Sequence, residues 1–555
     1  MNFLQTIFSN LSQSPQKTVL QEVREDGLHS VSGAGLLNWI GQARRRLREA
    51  GLRPGDRCGL LGPNSSRWVA MNLAIMAEGA MAVPLYSRQA PDELAAMMKD
   101  CGVSLLCCGG PSEVESIRSC WSDLPPVLDY SQVLDDATPD ADDASAIGAG
   151  EPPGQLQVVT IIYTSGTSGE PKGVMLNGDN IGFMLQRTTA RLEELMQGIP
   201  GNGDDRVFHY LPLCFAGSWI LLLTCLYRNN NLMLSTDLNR LADEWKLARP
   251  QYMLNVPALL ERIRTGVEEK IRGAGGVGYL LFSRGQLAWL RQQENGSRMF
   301  DSVWLALARR LVFAKIRDRI GSGLRALICG SAPLAEETQQ FFHMIGIPVL
   351  QVYGLTETTA ICTMDDVHRV TAGRVGPAIR GIEMRLSEEG EILVRGPNIF
   401  PGYWNRPEAD REVFQEGWFR TGDQGEVDAT GNWKIVGRMK NIIITTGGHN
   451  ISPEPIEQSL LEALPASTQV MVVGNGRKYL SALLTGPVGQ EESARVIEEV
   501  NRQLPHYRRI RRFHIAAEPF SIENGLLAAN GKQRRAAIEA HFREAIDTLY
   551  QSESQ

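Results

Sequence analysis

The run Val158-Val159-Thr160-Ile161-Ile162 is apolar and largely β-branched, and it passes without interruption into Tyr163-Thr164-Ser165-Gly166-Thr167-Ser168-Gly169-Glu170-Pro171-Lys172-Gly173. A strand of this kind needs a sheet around it, and the stretch that follows needs an open end at which to be displayed. Gly166, Gly169 and Gly173 let the backbone approach an anion closely, Thr164, Ser165, Thr167 and Ser168 offer hydroxyl donors, and Lys172 adds a positive charge. The stretch therefore reads as a polyphosphate-holding loop leaving a strand. It is not a Walker loop, because Lys172 follows Pro171 instead of a glycine and Gly173 stands where a Ser or Thr would meet magnesium. A flexible linker is the plain alternative, but linkers seldom follow a buried strand or carry Pro-Lys-Gly.

The chain before this loop alternates strand and helix. Helical spacing covers Leu36 to Ala50, Ser66 to Ala80 and Pro91 to Lys99, and strand-like runs cover Arg57 to Leu61, Met81 to Leu85 and Val103 to Cys108. That order predicts a parallel sheet with crossover helices, an α/β domain. From Asp129 to Gly154 the composition turns acidic and rich in Ala, Pro and Gly, as in a solvated connection. At 555 residues the chain is long enough for roughly three to four folding units. With 63 acidic against 56 basic residues, nothing in the total charge recommends nucleic acid as a partner. Nine cysteines without a CxxC pair suit a reducing cytoplasm, and Cys107 and Cys108 read as buried strand positions. No secretion signal or transmembrane segment is expected: the apolar run Trp219 to Tyr227 is far short of the ~20 residues a span needs. That leaves a surface patch as the route for any peripheral membrane contact.

Two further strands, Leu324 to Cys329 and Pro348 to Val352, run into Gly330-Ser331-Ala332-Pro333-Leu334 and Tyr353-Gly354-Leu355-Thr356-Glu357-Thr358. In an open α/β sheet such loops form the ligand crevice and should face the same space as the Lys172 loop. Gly273 to Gly278 matches GxGxxG, but it ends a helical stretch, Pro257 to Ile271, instead of following a strand, so it predicts a loop and no dinucleotide. Tyr279 to Ile320 is helical and amphipathic, and from Val375 the chain becomes Gly- and β-rich, a small β-subdomain. No Ser-His-Asp constellation, cysteine nucleophile or metal-ligand cluster emerges, and His449, a loop histidine without a visible partner, receives no role.

From about Gly35 to Arg535 the sequence resembles the AMP-forming, acyl-activating adenylating enzymes, whose signature loop is similar to YTSGTSGEPKG; later motifs are similar to the long-chain fatty acyl-CoA synthetase branch. The resemblance implies a large N-terminal domain, 1–439, of parallel α/β subdomains plus the small β-subdomain, then a small mobile α/β lid, 440–555, hinged at Lys440. It implies that Thr164 to Gly169 and Lys172 hold phosphates, Gly330 to Ala332 border the adenine, Tyr353 stacks on it beside Gly354, and Thr356 contacts the α-phosphate. Glu357 would coordinate magnesium, Asp423 and Arg438 would reach the ribose, and Lys532 would promote adenylation. Phe215 and Trp219 would border the acyl pocket, although apolar residues as dense as Trp219 and those after it are more often plain core, and Gly447 and Gly448 would line the thiol channel. Two departures stand out: Phe215 replaces a histidine of many relatives, and Leu527-Ala528-Ala529-Asn530 differs from the usual run before the lysine. Arg508, Arg509, Arg511 and Arg512 form a basic run suited to coenzyme A phosphates or to a solvated face.

The implied reaction joins a carboxylic acid, expected to be a medium- or long-chain fatty acid, to ATP with Mg²⁺, and then passes the acyl group to coenzyme A. Transfer to a carrier-protein phosphopantetheine is the alternative acceptor. A non-catalytic acyl or nucleotide binding protein is the alternative class, against which the joint presence of Lys172, Glu357, Asp423, Arg438 and Lys532 argues.

Overall fold

The computed structural model describes residues 2–130, 134, 154, 156–165, 171–197, 205–294, 296, 298–465, 467–528 and 531–551. Two compact units divide the chain: 1–383 with 394–419, and 384–393 with 420–555.

The first unit is built on two largely parallel sheets. One has six strands in the order Val127–Asp129, Leu105–Cys108, Arg57–Leu61, Met81–Leu85, Val158–Ser165 and Pro171–Asn177, the last antiparallel to its neighbour. The other has eight, with Val349–Tyr353, Ala326–Cys329, Tyr252–Asn255, Arg206–His209, Asn231–Ser235 and Thr18–Arg24 running parallel between antiparallel edges Thr363–Met364 and Gly27–Ser32. The expected alternation is what folds, because a parallel strand covered on both faces must be apolar throughout: all four residues of Leu105–Cys108 are buried, Cys107 and Cys108 among them. Local chemistry sets the helix starts. Ser65 accepts from the Trp68 N–H to open Ser66–Ala77, and Pro91 with Asp92 and Glu93 opens Pro91–Cys101.

Pro257–Ala274 turns at Gly275 into Gly276–Gln293, so the GxGxxG run joins two helices, and no strand precedes it. Asp301–Ala308 continues through one π turn, Arg309–Phe313, into Ala314–Gly321. The expectation of amphipathic helices holds for Ala314–Gly321, whose exposed residues are Lys315, Arg317, Asp318 and Arg319, but needs correction for Gly276–Gln293 and Asp301–Ala308. Their inner faces pack through Phe282, Trp289 and Leu305 in one core with Phe313, yet much of the outward face is also apolar. The expected connection from Asp129 to Gly154 lies almost wholly outside the described residues.

In the second unit, Trp433–Arg438 pairs antiparallel with the Asp423–Val427 end of its neighbour, and a three-stranded sheet follows, Gln469–Val473, Leu480–Thr485 and Ile510–Ile515. Period-two alternation explains its two cores: Val470 and Val472 pack with helices Glu454–Ala463 and Gln490–Gln503, while Met471 and Val473 pack with the C-terminal helices through Ile538 and Ile546.

Candidate active site

Cys329 lies opposite Gln351 in two neighbouring parallel strands, so the loops beginning at Gly330 and Gly354 leave the sheet side by side. Backbone strain concentrates there. Ser331, Thr359 and Ala360 adopt left-handed conformations with φ of 74°, 53° and 86°. The chain folds back so tightly after the turn Thr356–Thr358 that a Cβ on Gly354 would lie 2.2 Å from the Ala360 carbonyl oxygen. Tyr353 is buried, and Thr356 and Glu357 are half-buried on the returning segment.

The strand that the signature loop leaves has a partner just after it: Val158–Ser165 pairs antiparallel with Pro171–Asn177, with Thr164 opposite Lys172, so the ends of the stretch, 163–165 and 171–173, are strand and not loop. Lys172 is thus held on a strand, and the Thr164 hydroxyl donates to its carbonyl at 3.5 Å. Gly166, Thr167, Ser168 and Gly169 lie outside the described residues, as does the side chain of Ser165.

What joins this hairpin to the Glu357 turn is Tyr403, a residue that sequence reasoning placed only in a β-rich segment. The Lys172 ammonium sits 5.1 Å from the centroid of its ring, and the Tyr403 hydroxyl donates to Glu357 Oε1 at 2.9 Å. Backbone bonds fix the same corner: Trp404 N–H donates to the Gly173 carbonyl at 2.7 Å and Phe400 N–H to the Glu357 carbonyl at 2.9 Å. Burial, followed by the nearby Glu357 charge, pushes the Tyr403 phenol well above its ordinary range, so it remains a donor. Nothing in the local pattern around Pro401-Gly402-Tyr403 announces a partner so far away in sequence. Among the described residues no group of three or more His, Cys, Asp or Glu could form a metal site. Glu357 is a half-buried carboxylate that accepts from the Tyr403 phenol, a hard oxygen ligand of the kind Mg²⁺ takes.

On the acyl side, Phe215 precedes helix Ala216–Tyr227 and its ring lies 5.4 Å from that of Tyr86, which follows the strand Met81–Leu85 of the other sheet. Asn64 makes a second link, donating to the Leu211 carbonyl at 2.8 Å and accepting from Leu213 N–H at 2.9 Å. The carboxyl ends of both sheets therefore meet beside Phe215. Trp219 is fully buried and its indole donates to Asn72 Oδ1 at 3.0 Å, the setting of a core residue. His209, also fully buried, has its pKa lowered to about 4 by desolvation and stays neutral.

Within the second unit, Asp423 and Arg438 are cross-strand partners whose side chains form an ion pair at 2.7 Å. Thr421-Gly422-Asp423 lies inside a strand, where sequence alone equally allows an ordinary turn. Lys440 is exposed as a residue, but partial desolvation of its ammonium, then Arg438 and more weakly Lys532, lower its pKa to about 8 against the opposing charges of Asp423 and Glu454. Lys532 is therefore in the electrostatic neighbourhood of Arg438 and Lys440 while itself exposed. Gly447 and Gly448 form the exposed turn between Ile443–Ile444 and Asn450–Ile451. His449 stacks on Tyr507 at 4.4 Å, which brings that turn beside the basic run; Arg508 lies 5.6 Å from the Tyr507 ring.

Residues 7–404 match the family model described as AMP-binding enzyme, and residues 440–554 match that of the AMP-binding enzyme C-terminal domain. The chain belongs to the AMP-binding enzyme family. Among similar proteins is the long-chain-fatty-acid–CoA ligase FadD15 of Mycobacterium tuberculosis, 26% identical over 100% of this chain and 97% of that protein. Another is the putative fatty-acid–CoA ligase fadD11 of M. tuberculosis, 31% identical over 71% of this chain and 74% of that protein. The crystal structure of ATP-bound MatB from Rhodopseudomonas palustris shares the fold, with a TM-score of 0.74 at 23% identity, covering 98% of this chain and 100% of that one.

Proposed function

We propose that this protein is an AMP-forming acid–thiol ligase of the acyl-CoA synthetase type, which activates a medium- or long-chain fatty acid as its adenylate and transfers the acyl group to coenzyme A. The observation that carries the reading is the Lys172–Tyr403–Glu357 arrangement: a cation on a phosphate-type hairpin and a carboxylate held against the same aromatic ring, in a chain matched by the AMP-binding family over most of its length. The fatty acid is supported by the fatty-acid–CoA ligases among its relatives.

In the first step a substrate carboxylate oxygen attacks the α-phosphorus of ATP and pyrophosphate leaves. Thr164 to Gly169 and Lys172 grip the phosphates. Gly330, Ser331 and Ala332 border the adenine, Tyr353 and Gly354 form the adjoining wall, and Asp423 and Arg438 bind the ribose. Thr356 and Lys532 stabilise the charge that develops at phosphorus. Glu357 would hold Mg²⁺ together with the triphosphate, and the bound ion would neutralise phosphate charge. In the second step the coenzyme A thiolate attacks the acyl carbonyl carbon and AMP leaves, with the thiol passing Gly447 and Gly448. Residues 440–555 act as the lid and Lys440 as its hinge; support comes from the start of the second family match at residue 440. Phe215 forms an apolar wall of the acyl pocket.

Free coenzyme A is favoured over a carrier protein because the Gly447–Gly448 turn is tied through His449 and Tyr507 to Arg508, a basic surface suited to the phosphates of the coenzyme A nucleotide. Mass spectrometry of incubations with Mg-ATP and a panel of carboxylic acids, with and without coenzyme A, tests this. The expected result is acyl-CoA and AMP from fatty acids only when the thiol is present. Acyl-adenylate that persists unchanged with coenzyme A would move the acceptor to a carrier protein, and no adenylate from any acid would refute the ligase.

A further inference from the structure

Nine of the eighteen large apolar side chains that are exposed among the described residues lie between 277 and 311. Eight fall on two helices of the first unit, Gly276–Gln293 and Asp301–Ala308, and on the turn that joins them, and the ninth, Leu311, on the π turn that follows. The helices are packed tightly against each other: a Cβ on Gly285 would lie 2.3 Å from that of Ala308. On the first helix Val277, Leu280, Arg284 and Leu287 follow heptad-like spacing and share one outward stripe, with Val277 72% exposed. On the second, Val303 and Leu307 face outward, and Leu311 continues the row into the π turn. Met299 and Phe300, in the connecting turn, are 83% and 61% exposed. A surface helix ordinarily turns polar residues to water; these two do so only in part, although their inner faces already fill a core.

Charge identifies what would cover this face. Between 276 and 320 there are eight Arg or Lys against three Asp or Glu, in a chain whose formal net charge is −7. Arg284, Arg298, Arg309 and Arg310 are exposed beside the apolar stripe. A second copy of the same face would set these cations against one another, whereas an anionic lipid surface offers headgroups for the arginines and acyl chains for Met299, Phe300 and the two stripes. No helix among the described residues is long and apolar enough to cross a membrane, so this hairpin would lie in the interface plane.

We propose that the helical hairpin 276–311 docks on anionic phospholipid bilayers, with Met299 and Phe300 inserted among the acyl chains and the flanking arginines on the headgroups. The inference is independent of the ligase reading.

Co-sedimentation of the full chain with large unilamellar vesicles tests it, using phosphatidylcholine alone and an equal mixture with phosphatidylglycerol. The wild type is expected to bind the mixed vesicles and to lose about tenfold in partitioning on pure phosphatidylcholine or when salt is raised from about 50 mM to about 500 mM. Met299→Ser with Phe300→Ser should lower partitioning by about tenfold. Arg309→Glu with Arg310→Glu should abolish the preference for phosphatidylglycerol, and this pair carries the test if the first variant proves misfolded by circular dichroism. Failure of the wild type to bind the mixed vesicles would overturn the proposal, as would folded variants that bind as well as it does. A wild-type dimer in analytical ultracentrifugation that the same substitutions dissolve, without vesicle binding, would give the face to a second copy instead.

Discussion

In the first unit Lys172, Tyr403 and Glu357 are fixed by one another and by backbone bonds from Gly173 and Glu357 to Trp404 and Phe400, whereas in the second Lys532 and the Gly447–Gly448 turn stand exposed on short irregular segments. Preorganised groups lower a barrier by standing already where charge develops, and they suit the phosphate machinery. Exposed groups on small turns suit residues that act in only one of two steps. Each unit thus carries its own kind of group, fixed in the first and exposed in the second, and the proposed reaction would call on the first in both steps and on the second in one.

The sharpest way to break this division is Lys532→Ala. Adenylation, followed by pyrophosphate exchange, is expected to fall by about 10²–10³-fold, while thioester formation from supplied acyl-adenylate stays close to wild type. An equal loss in both assays would remove Lys532 from a step-specific role. Lys440→Pro should act in the opposite direction, sparing pyrophosphate exchange and reducing thioester formation by about 100-fold; an intact overall rate would take the hinge away from residue 440. In the permanent part, Tyr403→Phe keeps the ring beneath Lys172 and removes the hydroxyl from Glu357. Adenylation kcat should drop by about tenfold with a higher Mg²⁺ requirement and an unchanged KM for the acid. A drop confined to KM for the acid would place Tyr403 elsewhere. Gly354→Ala, which forces a Cβ toward the Ala360 carbonyl, should cost about 1–3 kcal/mol in denaturant unfolding as well as activity.

The smallest effects concern pH, and the two units should answer with opposite signs. Asp365, buried in the first unit, has its pKa raised from 3.8 to about 7 by desolvation, so the native state holds the proton more tightly. Its contribution to stability is present at acid pH and is lost as pH rises through about 7. Lys440 in the second unit is lowered from 10.5 to about 8, so the native state releases the proton first and stability rises between about 8 and 10.5. Unfolding of Asp365→Asn and Lys440→Met across pH should flatten the respective slope; a slope unchanged by its substitution would assign that titration to another group.

Much of the scaffold was legible because local patterns are strong where burial is complete. Arg57–Leu61 and Met81–Leu85 fold with the expected ends, whereas the GxGxxG run, expected as a loop, is helical except at Gly275. The hairpin return at Pro171 was not legible, since an antiparallel strand and a helix start can both follow a Gly-rich loop. Nor was the outward apolar face at 277–311, because apolar residues in a helix reveal their spacing and not how many neighbours will cover them.

From the sequence alone came the class of fold, much of the alternation of strands and helices from Leu36 onward, and the chemical character of the loops it singled out, all properties of residues near one another in the chain. Only the tertiary structure decided that Lys172 and Glu357 share Tyr403, that Asp423 and Arg438 face across a strand pair, and that two apolar stripes lie together at the surface. Those relations depend on register and on which distant segments meet, and no local periodicity encodes either.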